Sequence, residues 1–418
     1  MSDVLAVAPL TRPVDATVRP PGSKSITNRA LLCAALADGT STLSGVLFAD
    51  DTRAMMSAVG ALGATVTLFE SDRTVVVRGI DPGTAGGAGT IDARQSGTTS
   101  RFLLPAAALL GGRTVVDGSE QLRARPFGPV LGALRQIGAG VEELDRPGFL
   151  PAAVTGPAHG GPVEVSGHIS SQFLSGLLMA GPLMDRGIDV TLTSPLVSVP
   201  YVEMTKAVMA AFGVTVTGLT VPAGAYRPAD FAIEPDASAA SYFLGAAAIT
   251  GGRVTVSGLG TGSLQGDVRF ADVLERMGAS VTRTADAVTV RGGDRLRGID
   301  VDMADISDTA QTLAAVAVFA DGPTRVRGIG FIRGKETDRV GAVVTELRRA
   351  GIDAVEDPDG FTIHPGAPRP TRFATYDDHR MAMSLSLIGL RAHGIEIADP
   401  GCVAKTYPAY FTDLATLG

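Results

Sequence analysis

Six short polar stretches of this sequence carry the residue types best suited to chemistry on small anions. They are Lys24, Ser25 and Arg29; Gly97, Thr98 and Arg101; Ser170, Ser171 and Gln172; Asp236 and Ser238; Asp308; and Asp378, His379 and Arg380. Each leads directly into an apolar run. A helix that begins there presents unpaired N–H groups and partial positive charge, which suits phosphate and carboxylate. Ser, Thr and Asp are also ordinary N-caps, and capping accounts for any one opening taken alone. Capping does not call for Lys24 and Arg29. On the first turn of a buried helix their charge opposes the dipole unless an anion compensates it, so these two read as ligand-binding residues.

The elements that must position these residues recur. The apolar runs close at Gly39, Gly112, Gly187, Gly252, Gly322 and Gly394, a repeat of 65–75 residues. After each glycine comes a short alternating run, such as TSTLSG, RTVVDG or RVTVSG, whose β-branched residues at period two predict a half-buried strand. An amphipathic helix follows. Met55, Val59 and Leu62 share one face of it in the first copy, as Val130, Leu134 and Ile137 do in the second. These helices should end at Gly63, Gly138, Gly213, Gly278 and Gly351, where the chain can turn left-handed, and another strand should start almost at once. The sixth copy is cut short by the C-terminus.

A helix apolar nearly all round must be enclosed, so each copy should wrap its strands and amphipathic helix around the apolar one. Six copies group as three and three. The expected fold class is α+β, with α/β-type repeats and mixed sheets, in two lobes whose buried helices point their N-termini into an interlobe cleft. The N-terminal lobe is expected over residues 22–236 and the discontinuous C-terminal lobe over 1–21 plus 237–418.

Composition narrows the partners. With a formal net charge of −7, nucleic acid is not the expected ligand, since backbone phosphate binding needs a clustered cationic surface. Apolar stretches such as FLLPAAALL are too short to span a membrane, and the N-terminal MSDVLAVAPLTRP has neither signal-peptide nor transit-peptide character, which predicts a cytoplasmic protein. Two cysteines and five histidines, none at zinc-ligand spacing, suggest neither a disulfide framework nor a metal site.

Six motifs then resemble, in order, the signatures of the EPSP synthase family of enolpyruvyl transferases: PGSKSITNR (21–29), QSGTTSR (95–101), SSQFL (170–174), GKETDR (334–339), DDHRMAM (377–383) and AKTYP (404–408). The resemblance covers essentially the whole chain. It implies two lobes of three βαβαββ units, the inside-out α/β barrel, and no metal or organic cofactor. The implied reaction transfers the enolpyruvyl group of phosphoenolpyruvate to the 5-hydroxyl of shikimate 3-phosphate by addition and elimination.

Carried over by motif, Asp308 is the base on the hydroxyl and Glu336 exchanges the proton at C3, with Lys24 as a competitor for that role. Lys24, Gly97, Arg125, Gln172, Arg339, Arg380 and Lys405 match positions that hold phosphoenolpyruvate. Lys24, Ser25, Arg29, Ser170, Ser171, Gln172, Ser198, Tyr201, Asp308 and Lys335 match the shikimate 3-phosphate site. Without the resemblance, Arg125 reads as a solvated charge, Arg339 and Glu336 as an i, i+3 ion pair, and Asp308 as an N-cap. Gln95 and Phe331 depart from the common pattern near the two substrates. Gly97 implies sensitivity to the inhibitor glyphosate, and the family precedent is a monomer. Two rivals stand beside this reading. One is the sister transferase acting on UDP-N-acetylglucosamine, which uses a reactive Cys where residues 117–126 have none. The other is a non-catalytic anion-binding protein, which would not need Asp308 and Glu336 together.

Overall fold

In the computed structural model, residues 4–80 and 87–418 are described; the first three residues of the N-terminal segment read above lie outside that range. The chain divides into two compact units, one of Gly22–Glu234 and one of Met1–Pro21 with Pro235–Gly418. Among the described residues, each apolar run forms a buried helix: α1 (Lys24–Ala35), α2 (Gly97–Ala107), α3 (Ser171–Ala180), α4 (Ala237–Thr250), α5 (Ala310–Ala317) and α6 (His379–Gly389). The first three belong to one hydrophobic core and the last three to the other. No helix among the described residues is long and apolar enough to cross a membrane.

The repeat is plainest in the second and fifth copies. Strand Gly89–Asp92 crosses through α2 to a parallel partner, Arg113–Asp117, which then pairs antiparallel with Ala152–Thr155, itself flanked by Gly140–Glu143. Asp300–Asp302, Thr324–Arg327, Gly360–Ile363 and Ala354–Asp357 repeat that order around α5. This is βαβαββ, in mixed sheets packed on enclosed helices. Alternation places Val254 and Val256 in the core while Thr255 bonds across the sheet to Thr289, as the period-two pattern requires.

Other copies borrow strands from distant sequence. Asp230–Ala232 joins the first copy's sheet in parallel with Thr42–Ser44, and Asp15–Val18 joins the fourth copy's sheet in parallel with Arg253–Val256. The whole of the Gly22–Glu234 unit is therefore inserted between a strand and the helix that completes its crossover. The truncated sixth copy is closed by the start of the chain, since Val4–Val7 pairs antiparallel with Ile395–Ala398. The third copy does not begin a strand promptly after Gly213. Its third strand is only Thr220–Val221, because the Gly- and Pro-rich chain beyond is drawn away to pair with the first copy.

The second set of helices ends as expected: Gly63, Gly138, Gly213, Gly278 and Gly351 all have φ between +78° and +112°. At Gly278 an added Cβ would also lie 3.0 Å from the Arg295 carbonyl oxygen. Gly278→Ala should lower unfolding free energy by about 1–3 kcal/mol, read from the shift of the urea midpoint; an unchanged midpoint would contradict this account.

Candidate active site

In the Gly22–Glu234 unit, the N-terminal ends of α1, α2 and α3 carry one cluster. Ser23, Ser96 and Ser170 cap them, each hydroxyl accepting from a backbone N–H of the first turn. Lys24 lies 3.4 Å from the buried Asp51 carboxylate, whose backbone carbonyl accepts from the Thr99 hydroxyl. The charge that capping left unexplained thus has an internal counter-ion. Arg101 is 2% exposed, stacks over Phe127 and Phe173 at 5.2 Å from each centroid, and donates to the Gln172 side-chain oxygen at 2.7 Å. The Gln172 amide nitrogen donates in turn to Thr98 at 3.0 Å. Gln172 is therefore held at both ends.

Arg125 is 5% exposed, not the solvated charge that its sequence setting allows. It packs against Gly97: a Cβ there would fall 2.7 Å from its Nη1 and 3.0 Å from Nη1 of Arg101. The glycine is the space in which two guanidinium groups sit side by side. Ser170, Ser171 and Ser198 are buried, and Ser198 takes a left-handed φ of 54° before the helix Val199–Ala211.

Arg29 departs from its expected place on the first turn. It stands on the second turn of α1, 1% exposed, and its partners are neutral: Thr205 at 2.7 Å, the Ser25 carbonyl at 2.9 Å, the Tyr201 carbonyl at 3.1 Å and Ser175 at 3.4 Å. Burial lowers its guanidinium to about 10, with Tyr201 opposing. It ties α1 to α3 and to the first turn of the helix Val199–Ala211.

In the other unit the cluster is built on carboxylates. Asp308 is not an N-cap. It lies in a tight turn, Ala304–Thr309, ahead of α5, and Thr309 stands at the cap position without a side-chain cap bond. Its two oxygens are instead held by Arg339 Nη1 at 3.2 Å and Arg380 Nη2 at 2.6 Å, and Arg380 also donates to its carbonyl at 3.2 Å. Arg339, 2% exposed, further holds Glu336 at 2.7 Å and grips Asp378 through Nε at 2.8 Å and Nη2 at 3.3 Å. The i, i+3 ion pair expected of Glu336 and Arg339 is present as one edge of this larger network. Burial opposes the Arg339 charge, and Asp378, Glu336 and Asp308 more than offset it, holding the guanidinium above its ordinary value. Lys405 lies 3.9 Å from the second Glu336 oxygen. The Lys335 ammonium lies 5.8 Å from the Phe331 ring centroid.

Asp51 escaped sequence reasoning altogether, and Arg101 and Asp378, though singled out at the helix openings, were not assigned to either substrate. Asp51 acquires its role from Lys24, at the start of the other helix of its own repeat, and Arg101 from Gln172 and Phe173 on the next repeat, relations no local spacing reports. Asp378 looked like an N-cap and is one, accepting from the Arg380 N–H at 2.9 Å, yet the same carboxylate anchors Arg339. A further buried acid, Asp267, accepts from the Ser238 hydroxyl at the start of α4. Burial, then the Asp308 charge, pushes its carboxyl up to about 7.

The fold built this way is that of enolpyruvyl transferases. A solved EPSP synthase from Acinetobacter baumannii superposes with a TM-score of 0.82 at 26% identity, over 99% of this chain and 98% of that one. The enolpyruvyl transferase NikO from Streptomyces tendae shares the fold at a TM-score of 0.76 and 20% identity, over 99% and 97%. The family described as EPSP synthase (3-phosphoshikimate 1-carboxyvinyltransferase) matches residues 10–414. Curated 3-phosphoshikimate 1-carboxyvinyltransferases from Nostoc sp. and Serratia proteamaculans are each 44% identical to it, covering 98% of both chains in the first case and 100% of this chain and 99% of that one in the second. The chain belongs to the EPSP synthase family.

Asp267 gives a pH prediction. A carboxyl raised in the folded state contributes stability that is complete below its unfolded value and is lost as pH rises through the folded one. Wild-type stability relative to Asp267→Asn should therefore fall between about pH 4 and about pH 7. Urea midpoints of both proteins across that range test it, and a constant difference would refute the coupling.

Proposed function

We propose that the chain transfers the enolpyruvyl group of phosphoenolpyruvate to the 5-hydroxyl of shikimate 3-phosphate with release of phosphate, the 3-phosphoshikimate 1-carboxyvinyltransferase reaction of aromatic amino acid biosynthesis. The observation that carries the reading is Asp308, held at both oxygens by guanidinium groups, one of which also holds Glu336. An anion receptor needs the cations; it does not need two carboxylates aligned by them.

Asp308 takes the proton of the substrate hydroxyl as its oxygen bonds to C2 of phosphoenolpyruvate, and C3 gains a proton to become a methyl group. In the second step C3 gives up a proton and phosphate leaves C2, which restores the double bond in the product. Glu336 handles the C3 proton: its side chain is 8% exposed, with Arg339 and Lys405 on separate oxygens. Lys24 supports the same step as a point charge on the donor.

Phosphoenolpyruvate is held by Lys24, Gly97, Arg125, Gln172, Arg339, Arg380 and Lys405, where paired guanidinium donors match carboxylate and phosphate oxygens. Shikimate 3-phosphate is held by Lys24, Ser25, Arg29, Ser170, Ser171, Gln172, Ser198, Tyr201, Asp308 and Lys335. Arg29 serves largely by fixing the Ser25 carbonyl and Tyr201. The protein acts in the cytoplasm, as a monomer.

Cysteine chemistry of the UDP-N-acetylglucosamine kind is disfavoured by more than the Cys-free loop. Burial pushes the thiols of Cys33 and Cys402 up to about 12, far from the thiolate form a nucleophile requires.

Purified protein supplied with both substrates should release phosphate, and release only with the UDP-sugar would overturn the assignment. Asp308→Ala should lower kcat by roughly 10²–10⁴-fold while shikimate 3-phosphate still binds by calorimetry; near-normal turnover would reject it as the base. Gly97→Ala puts a methyl group against Arg125 and Arg101, so the KM for phosphoenolpyruvate should rise on the order of tenfold or more. Glyphosate should inhibit the wild type competitively with phosphoenolpyruvate and the Gly97→Ala variant less. Equal inhibition curves would contradict that placement.

A further inference from the structure

The helix Arg339–Arg349 holds the chain that leads into α6 at two points. Arg339, its first residue, grips Asp378. Two turns later Glu346, 1% exposed, accepts from the Ala374 backbone N–H at 2.9 Å and from the Tyr376 hydroxyl at 2.8 Å. Between these anchors Tyr376 and Asp377 are consecutive non-glycine residues in the left-handed region, at φ 56° and 52°. Such residues are strained and persist only where surrounding bonds over-determine the turn.

A surface role does not explain Glu346. Its ion-pair partner Arg349, at 2.6 Å, has a side chain 49% exposed, and a pair screened by water in that way contributes little. Burying the carboxylate is worthwhile for the other two donors, which belong to the turn. Burial, then the bond to Glu346, pushes the Tyr376 hydroxyl up to about 12, so it remains a donor through neutral pH. Directly beyond the turn, Arg380 holds the Asp308 carboxylate at 2.6 Å and the Asp308 carbonyl at 3.2 Å. Glu346, the turn, Arg380 and Asp308 form a continuous chain of bonded contacts.

We propose that Glu346 is a positioning residue for the transferase reaction: by clamping the left-handed turn through Ala374 and Tyr376, it sets where the Arg380 guanidinium stands and hence how Asp308 is aimed. The inference rests on the function proposed above, and the wild-type assay separates the two. If wild-type protein releases no phosphate, that function fails; if it does and the variants below behave like it, only the role of Glu346 fails.

Glu346→Gln keeps the size and one acceptor but loses the charge and the second oxygen, and Tyr376→Phe loses only the hydroxyl. Glu346→Gln should raise the KM for phosphoenolpyruvate and lower kcat, each by roughly tenfold, since small displacements of a positioned cation have effects of that order. Tyr376→Phe should shift both in the same direction by less. Adding Asp377→Gly to Glu346→Gln relieves the left-handed strain and should recover part of both parameters. A role in folding alone would reduce the active fraction, lowering apparent kcat with an unchanged KM, and would leave the glycine without effect. Either of those results, or wild-type kinetics in Glu346→Gln, would overturn the proposal.

Discussion

A helix enclosed on every side still ends in unpaired N–H groups, and that constraint governs both units. Apolar packing explains why α1 to α6 are interior. It also leaves six positive helix ends that solvent reaches poorly. Serine and aspartate caps satisfy part of this need, at Ser23, Ser96, Ser170, Asp236 and Asp378. What remains favours anions, either carboxylates of the chain or phosphates and carboxylates of a substrate.

The two units meet that constraint differently. In Gly22–Glu234 the helix ends are surrounded by cations and hydroxyls, and Arg101 and Arg29 spread their charge over aromatic rings and neutral oxygens. In the other unit three carboxylates converge on Arg339, with Arg380 on Asp308 from another side. A buried arginine with three acids stays charged, and its acids stay aligned. One cluster suits holding anions and the other suits moving protons.

Strain lies where this alignment is set. Ser198 precedes the helix carrying Tyr201, and Tyr376 and Asp377 precede Arg380; all three are non-glycine residues at positive φ. The bonds that hold these turns come from distant elements, so the surrounding fold maintains what local preference would release.

Much of the architecture was legible in the sequence. A period of 65–75 residues, apolar runs that become buried helices and strands alternating at period two are local patterns, and each reports on backbone preference and burial close in the chain. The helices themselves end at Ala35, Ala107, Ala180, Thr250, Ala317 and Gly389, ahead of the glycines that close the runs. Left-handed helix ends were legible for the same reason, since Gly278 and its counterparts supply a conformation that other residues resist. The motifs carried the family and named the candidate site residues. Tertiary structure alone decided the partners. That Lys24 faces Asp51, that Arg29 is satisfied by neutral oxygens, that Asp308 is held by two guanidinium groups instead of capping α5, and that Val4–Val7 closes the last repeat all depend on residues remote in sequence. Helix and strand preferences act over a few residues, whereas a buried charge is matched by whichever group the fold brings within about 3 Å, and only the packed chain determines which group that is.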